Sequence, residues 1–342
     1  MLELLKKVLK PVAPSGLEEP VAAVIREEVA PYVDSIETDA LGNLICVKNG
    51  TEANPEKIML SAHMDHIGYI VTGIEKEGFL RVTNVGGISP TMSLTRHVSF
   101  PNGVQGVVVS EVSKDTAMKD LFVDIGAQDK ADAETMVQIG DVCVYANDCF
   151  QLGANRVASP AMDDRAACAL LIRFLQTVGA TKQTIIAVFS VQEEVGCRGA
   201  KGAAFQQEPD IGIVLEGTTC NDLGDVPETA HVCEAGQGVA VSFMDGASIA
   251  NRALFRKALD VAKQENIPHQ VKHSVSGGND GGAIQRAREG VPVVVLSVPC
   301  RYIHSPSSVV KLSDVESQFA LVKALVKALV KALSVSYTHL RA

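Results

Sequence analysis

Four apolar runs of strand length, each leading to an acid or a histidine, set the rhythm of hydrophobic and polar positions along this chain. Lys57-Ile58-Met59-Leu60-Ser61 leads into His63-Met64-Asp65, and the run 184–191 leads into Glu193-Glu194. Ile211-Gly212-Ile213-Val214-Leu215 leads into Glu216, and the run 292–298 is followed shortly by His304. Stretches with helical spacing lie among them at 165–178, 198–205, 250–264 and 282–288. Strands alternating with helices predict an open α/β sheet, in which ligands and catalytic groups gather at the carboxyl ends of the strands.

The opening reads as helix over 21–29. Ser15-Gly16-Leu17-Glu18 ahead of it has the spacing of a capping box, in which a hydroxyl and a carboxylate satisfy orphan backbone donors reciprocally. Pro20 stands a little late for a first-turn proline, which leaves that boundary open. Strands are predicted at 35–38 and 44–47, around the turn Leu41-Gly42-Asn43. From 69 to 158 the character changes: short β-like runs at 68–72, 79–82, 104–112 and 142–145 surround one helical stretch at 131–137. Turn clusters such as Val85-Gly86-Gly87 and Pro101-Asn102-Gly103 separate them, which predicts a small β-rich domain inserted into an α/β domain formed by 1–68 and 159–333. Ser313-Asp314-Val315-Glu316 reads as the cap of a final helix containing the repeated Leu321-Val322-Lys323-Ala324. Residues 334–342 show no period and read as an artefactual or disordered tail.

Composition narrows the class further. A chain of 342 residues, 46% hydrophobic and 21% charged, can bury a large core and is not intrinsically disordered. No apolar run reaches transmembrane length and the N-terminus lacks a signal-peptide layout, so a cytoplasmic protein with no membrane partner is predicted. The formal net charge of -9 argues against a nucleic-acid partner. The eight cysteines include no C-x-x-C pair, so free buried thiols are expected rather than a thiolate zinc site.

The candidate chemistry lies at the strand ends. A metal-binding histidine needs its second ring nitrogen held by a carboxylate or a backbone carbonyl, and Asp65 is placed to hold His63. A partly buried polar turn is the equal alternative for that pair alone, and His66 beside it reads as accessory. Asp163-Asp164 precedes a helix, where acids ordinarily offset the macrodipole, but one carboxylate can also bridge two metals. Arg165 then secures the acidic cluster or its loop. Glu193 and Glu194, adjacent at a strand end, point different ways, so that one can bind metal while the other faces water. Glu216 reads as a ligand or as a strand-end capping acid, and His304 as a ligand or a structural histidine. The stretch from His273 to Gly282 matches no phosphate-binding loop and reads as a tight active-site wall.

Taken in order, His63-x-Asp65, Asp163-Asp164, Glu193-Glu194, Glu216 and His304 resemble the co-catalytic metallo-aminopeptidases of metallopeptidase family forty-two. That group comprises tetrahedral and glutamyl aminopeptidases and proteins labelled cellulase M. The resemblance runs from about Leu2 to Leu333 and implies a three-layer αβα catalytic domain with a mixed sheet. It implies two divalent ions per subunit, zinc or cobalt: His63, bridging Asp163 and Glu216 on one, Asp163, Glu194 and His304 on the other. It makes Glu193 the general base, Asp65 the orienter of His63, and Asp164 a non-ligand partner joined to Asp163 by a cis peptide. The family more often carries aspartate where this chain has Glu216, whose side chain reaches one methylene further. The inserted block 69–158 corresponds to a dimerisation domain, with dimers building to a dodecamer. The expected activity is removal of N-terminal residues from short peptides with a free amine, by a two-metal, water-activated route. The alternative is a co-catalytic zinc amidohydrolase or deacylase acting on N-acyl amino acids; a non-enzymatic assembly protein with a decayed site is the third reading. The pocket for the N-terminal side chain is expected near the loops 217–227 and 236–246.

Overall fold

The computed structural model describes residues 1–111, 115–146, 149–275 and 277–332. Val112, Ser276, Leu333 and the expected tail at 334–342 lie outside the described residues.

The four apolar runs become the parallel centre of an 11-stranded mixed sheet. Thr184–Ser190, Lys57–His63, Ile211–Thr219 and Val293–Arg301 lie side by side in that order, all pointing the same way. Antiparallel strands extend one edge through Leu44–Lys48 and Ser35–Thr38. The other edge continues through Ser308–Lys311, Arg156–Ser159 and Phe150–Leu152.

Every residue of Thr184–Ser190 is buried, because helices cover both faces of the sheet. Burial on both sides is why these runs are continuously apolar rather than alternating. Ile58, Leu60, Ile213 and Leu215 face a core built with the helices Leu2–Leu9, Glu19–Val29, Met162–Thr177, Arg252–Gln264 and Leu312–Ala332. The intervening Met59 and Val214, with Ile186 and Val188, face Arg198–Gln207 and Asp280–Gln285.

Between His63 and Met162 in sequence, six strands close into a separate barrel in the order Gly68–Ile74, Leu80–Val85, Leu121–Asp124, Gln105–Ser110, His97–Ser99, Val142–Tyr145. Its core is distinct and includes Tyr69, Val98, Val108 and Tyr145. The Tyr69 hydroxyl donates to Ser93 Oγ at 2.6 Å and stands 2.9 Å from the Tyr145 hydroxyl, so the buried phenols are satisfied. Closure leaves no open edge on these short strands.

Three local expectations are corrected. Ser15 and Glu18 do not form a capping box: the Ser15 hydroxyl goes to Asp65, and Glu18 accepts from the backbone of Gly16 and Gln192. The helix begins at Glu19, with Pro20 in its first turn. Ser313 and Glu316 do not cap the last helix, which already starts at Leu312; its Asp314 instead accepts from the backbone of Gly236 and Gly238. Finally, Glu216 does not follow its strand. It lies inside Ile211–Thr219, which continues past it in pairing with Val293–Arg301. Among the described residues, no helix is long and apolar enough to cross a membrane.

Candidate metal centre

Parallel register brings the chemistry to one level. Ser190 pairs with His63, and Glu216 stands two residues beyond the Val214–Ser61 pair, level with His63. Glu193 and Glu194 leave the neighbouring strand just past Ser190, and His304 follows three residues after Arg301. Asp163 arrives from below, on the non-helical first turn ahead of the long helix through Thr177, with a cis peptide to Asp164. His63, Asp65, Asp163, Glu193, Glu194, Glu216 and His304 meet there.

Two sets of possible ligands share one carboxylate. His63, Asp163 and Glu216 present atoms within 4.8 Å of one another, and so do Asp163, Glu194 and His304. His63 Nε2 is 3.2 Å from Asp163 Oδ1 and 3.2 Å from Glu216 Oε1. His304 Nε2 is 3.4 Å from Asp163 Oδ2 and 3.2 Å from Glu194 Oε1. Asp163 thus turns one oxygen to each set. The Glu216 side chain reaches His63 from within its strand, and Gly217 beside it leaves room for Asp163: a Cβ there would come within 3.1 Å of Asp163 Oδ1. Gly87 does the same for His304, whose Nδ1 would lie 2.8 Å from a Cβ at that position.

Asp65 organises the site by two routes. Its backbone carbonyl is 3.0 Å from His63 Nδ1, nearer than its carboxylate at 3.5 Å. The carboxylate accepts from Ser15 Oγ at 2.6 Å and from the backbone N–H groups of Glu193 and Glu194 at 3.0 and 3.1 Å. It therefore fixes the peptide that carries both glutamates. Asp164 accepts from the His63 backbone N–H at 3.3 Å and points into neither set. Fully buried Arg165 donates to the carbonyls of Met64, Val8 and Ala13, tying the loop after His63 to the N-terminal helix.

The electrostatics describe a cluster short of positive charge. Burial raises Glu216 to about 8 although His63 pulls it down. Burial, with Glu216, Asp280 and Glu194 nearby, holds Glu193 well above the usual carboxylate range. Burial opposes charge on His304, yet Asp163 and Glu194 push it up to about 11. Burial likewise opposes charge on Asp163, but hydrogen bonds from His304 and His63 hold its carboxyl well below its ordinary value. Buried Glu216 Oε2 has no hydrogen-bond partner, and buried Glu194 Oε1 meets the His304 ring nitrogen at 3.2 Å without forming a well-aligned hydrogen bond. Crowded carboxylates, histidine nitrogens aimed among them and an orphaned oxygen fit divalent cations and fit little else.

A cavity of about 540 Å³ opens beside the cluster, lined by both glutamates, Glu216, His304 and the 277–279 wall. Of the stretch 217–227 only Gly217, Thr218 and Thr219 line it, and these belong to the strand Ile211–Thr219; 236–246 contributes nothing. His66 belongs to neither set; burial pushes its pKa down to about 3 and both ring nitrogens lack partners. Ser15 and Asp280 were not singled out as site residues. Local spacing assigns Ser15 to a helix cap, and Asp280 is an unremarkable first-turn acid until the sheet places Ser61 and Ser190 beside it.

A buried two-set cluster at the carboxyl ends of a parallel sheet, open to a cavity, is the site of a metal-dependent hydrolase. The chain belongs to the M42 glutamyl aminopeptidase family, whose pattern it matches over residues 42–321. It is 34% identical over 341 residues to a lysyl aminopeptidase of Pyrococcus furiosus, covering 94% of this chain and 95% of that protein. An aminopeptidase from the archaeon Desulfurococcus kamchatkensis superposes with a TM-score of 0.92 at 33% identity, covering 95% of this chain and 94% of that one. The Pyrococcus horikoshii TET1 peptidase, described as assembling into a tetrahedron or a large octahedral shell, gives 0.84 at 32% identity, covering 95% and 98%. The enzyme is a hydrolase of the aminopeptidase kind; nothing in these likenesses favours the deacylase alternative.

Proposed function

We propose that this enzyme removes N-terminal residues from short peptides, with His63, Asp163 and Glu216 holding one divalent ion and Asp163, Glu194 and His304 the other. The observation that carries this reading is the shared carboxylate: Asp163 stands 3.2 Å from one histidine and 3.4 Å from the other through different oxygens. The mixed imidazole and carboxylate donors suit zinc or cobalt. Such ions supply Lewis acidity, lowering the pKa of water and polarising a carbonyl.

The chain's own residues then divide the work. Glu193 is the general base: it belongs to neither set, its Oε2 lies 3.9 Å from His63 Nε2, and it lines the cavity. From that position its carboxylate can accept a proton from attacking water and return it to the leaving amine. Asp65 keeps His63 in one tautomer through its carbonyl and keeps Glu193 in place through its carboxylate. Carboxylates in the cavity also suit a substrate's free α-ammonium.

The β-rich unit 69–158, inserted between 1–68 and 159–333 of a three-layer αβα domain, is read as the dimerisation domain of a homo-oligomer reaching a dodecamer. The proposed location is the cytoplasm. The test is turnover of aminoacyl-coumarins before and after chelation. Activity on free-amine substrates that is lost with EDTA and restored by zinc or cobalt supports the reading. Turnover of N-acyl amino acids alone refutes it.

A further inference from the structure

Glu193 also belongs to a second cluster, whose other members the proposed catalysis does not use. The chain turns back after Glu193: the N–H of Cys197 donates to the Glu193 carbonyl at 2.9 Å, with Gly196 and Cys197 both at positive φ. That turn puts Cys197 Sγ 3.4 Å from Glu193 Oε1. Asp280 approaches from the opposite side, and Glu193, Cys197 and Asp280 present ligand-type atoms within 4.8 Å of one another.

Asp280 is the independent sign that something binds there. It is 1% exposed, and its Oδ2 is used by Ser190 Oγ at 2.5 Å and Ser61 Oγ at 3.3 Å. Its Oδ1 has no hydrogen-bond partner. A buried carboxylate oxygen held this firmly and left unsatisfied is costly unless a donor or a cation meets it. Glu193 and Cys197 both line the open cavity, so an ion has a path from solvent.

We infer that Glu193, Cys197 and Asp280 form an inhibitory site for a third, thiophilic divalent cation such as zinc or cadmium. This rests on the aminopeptidase reading of the same centre. Charge does not forbid a third ion. Glu193 and Asp280 belong to neither ligand set, and their two carboxylates match the charge of one divalent ion. Binding exchanges the Cys197 thiol proton for the metal: the S–H bond breaks, a sulfur–metal bond forms, and one proton leaves to solvent. Thiolate ligation selects zinc or cadmium over magnesium or manganese. Capture of the Glu193 carboxylate removes the group that moves the proton, so the ion inhibits without displacing the catalytic pair.

The test uses the full-length enzyme loaded with two equivalents of zinc, titrated with cadmium. The expected result is an ultraviolet thiolate-to-cadmium charge-transfer band that rises in step with loss of aminoacyl-coumarin turnover. In Cys197→Ala and Cys197→Ser the band is absent. Each variant's inhibition, measured against its own cadmium-free rate, then needs at least roughly tenfold more cadmium, the lower end of what losing even an outer-sphere partner costs a metal site. No band in the wild-type enzyme, or inhibition of either variant at the cadmium concentration that inhibits the wild-type enzyme, overturns the inference. Should the two-metal reading itself fail, the enzyme would show no zinc-restored turnover before any cadmium is added, which separates the two failures.

Discussion

The two ligand sets share Asp163 but are built differently. His63 and Glu216 lie within central strands, and their set is buried, with His63 at 1% exposure. Glu194 and His304 stand on the loops after strands, and the His304 side chain is 34% exposed. His304 and Tyr302 adopt positive φ, so the backbone there follows loop geometry rather than sheet pairing. The strand-held set is positioned by the hydrogen-bond ladder itself, whereas the loop-held set is positioned by the Asp65 carboxylate under Glu194 and by close approach of Gly87 to His304. One centre therefore combines a strand-held half and a loop-held half, and both line the cavity.

The largest effect expected leaves both halves intact. Glu193→Gln should keep both ions bound, measured by elemental analysis, and lower kcat by roughly 10²–10⁴-fold. Substantial residual turnover would remove Glu193 from its role. Next comes the contrast between the histidines: His304→Ala should retain one ion per chain, whereas His63→Ala should retain neither and lower Tm. Equal losses in the two variants would break the asymmetry. Stepwise chelation sharpens the same point, with the ion of the His304 set leaving first.

The metal-free enzyme should also lose stability as pH rises. Glu216, at about 8, and Asp280, raised by burial to about 6, bind protons in the folded state that the unfolded chain has released. Carboxyls with raised folded values contribute most below their unfolded values of roughly 4 and lose that contribution as pH climbs to the folded values. His304, held up to about 11, acts in the same direction above roughly 6.5, where an unfolded histidine has lost its proton. Tm of the metal-free protein should therefore fall between about pH 4 and 8, while that of the loaded protein stays flatter. The smallest effect belongs to Ser15→Ala, which frees one acceptor on Asp65. It should cost about 1 kcal/mol in denaturant unfolding and shift kcat modestly.

Sequence marked both halves alike, and the one error of position fell in the strand-held half. Buried parallel strands need continuous apolar runs, and a histidine or acid at the end of such a run stands out against them. Glu216 was recognised for its chemistry but misplaced relative to its strand, because Gly217 and the threonines after it carry no apolar signal though they still pair. The barrel strands His97–Ser99 and Leu121–Asp124 escaped because they are short and take their shape from cross-strand partners. Ser15 and Glu18 satisfied local capping rules on paper, yet in the fold Ser15 donates to the distant Asp65 and Glu18 accepts from the distant backbone of Gln192. Local spacing shows which donors a polar side chain can reach nearby; only the sheet shows which distant ones it meets.

The central claim is that Asp163 joins two cations across this centre. A crystal of the zinc-loaded enzyme, measured for anomalous scattering at the zinc edge, tests it most directly. The account predicts two peaks flanking the Asp163 carboxylate, one against His63 and Glu216 and one against His304 and Glu194. A single peak, or zinc bound with Asp163 outside its coordination, would contradict it.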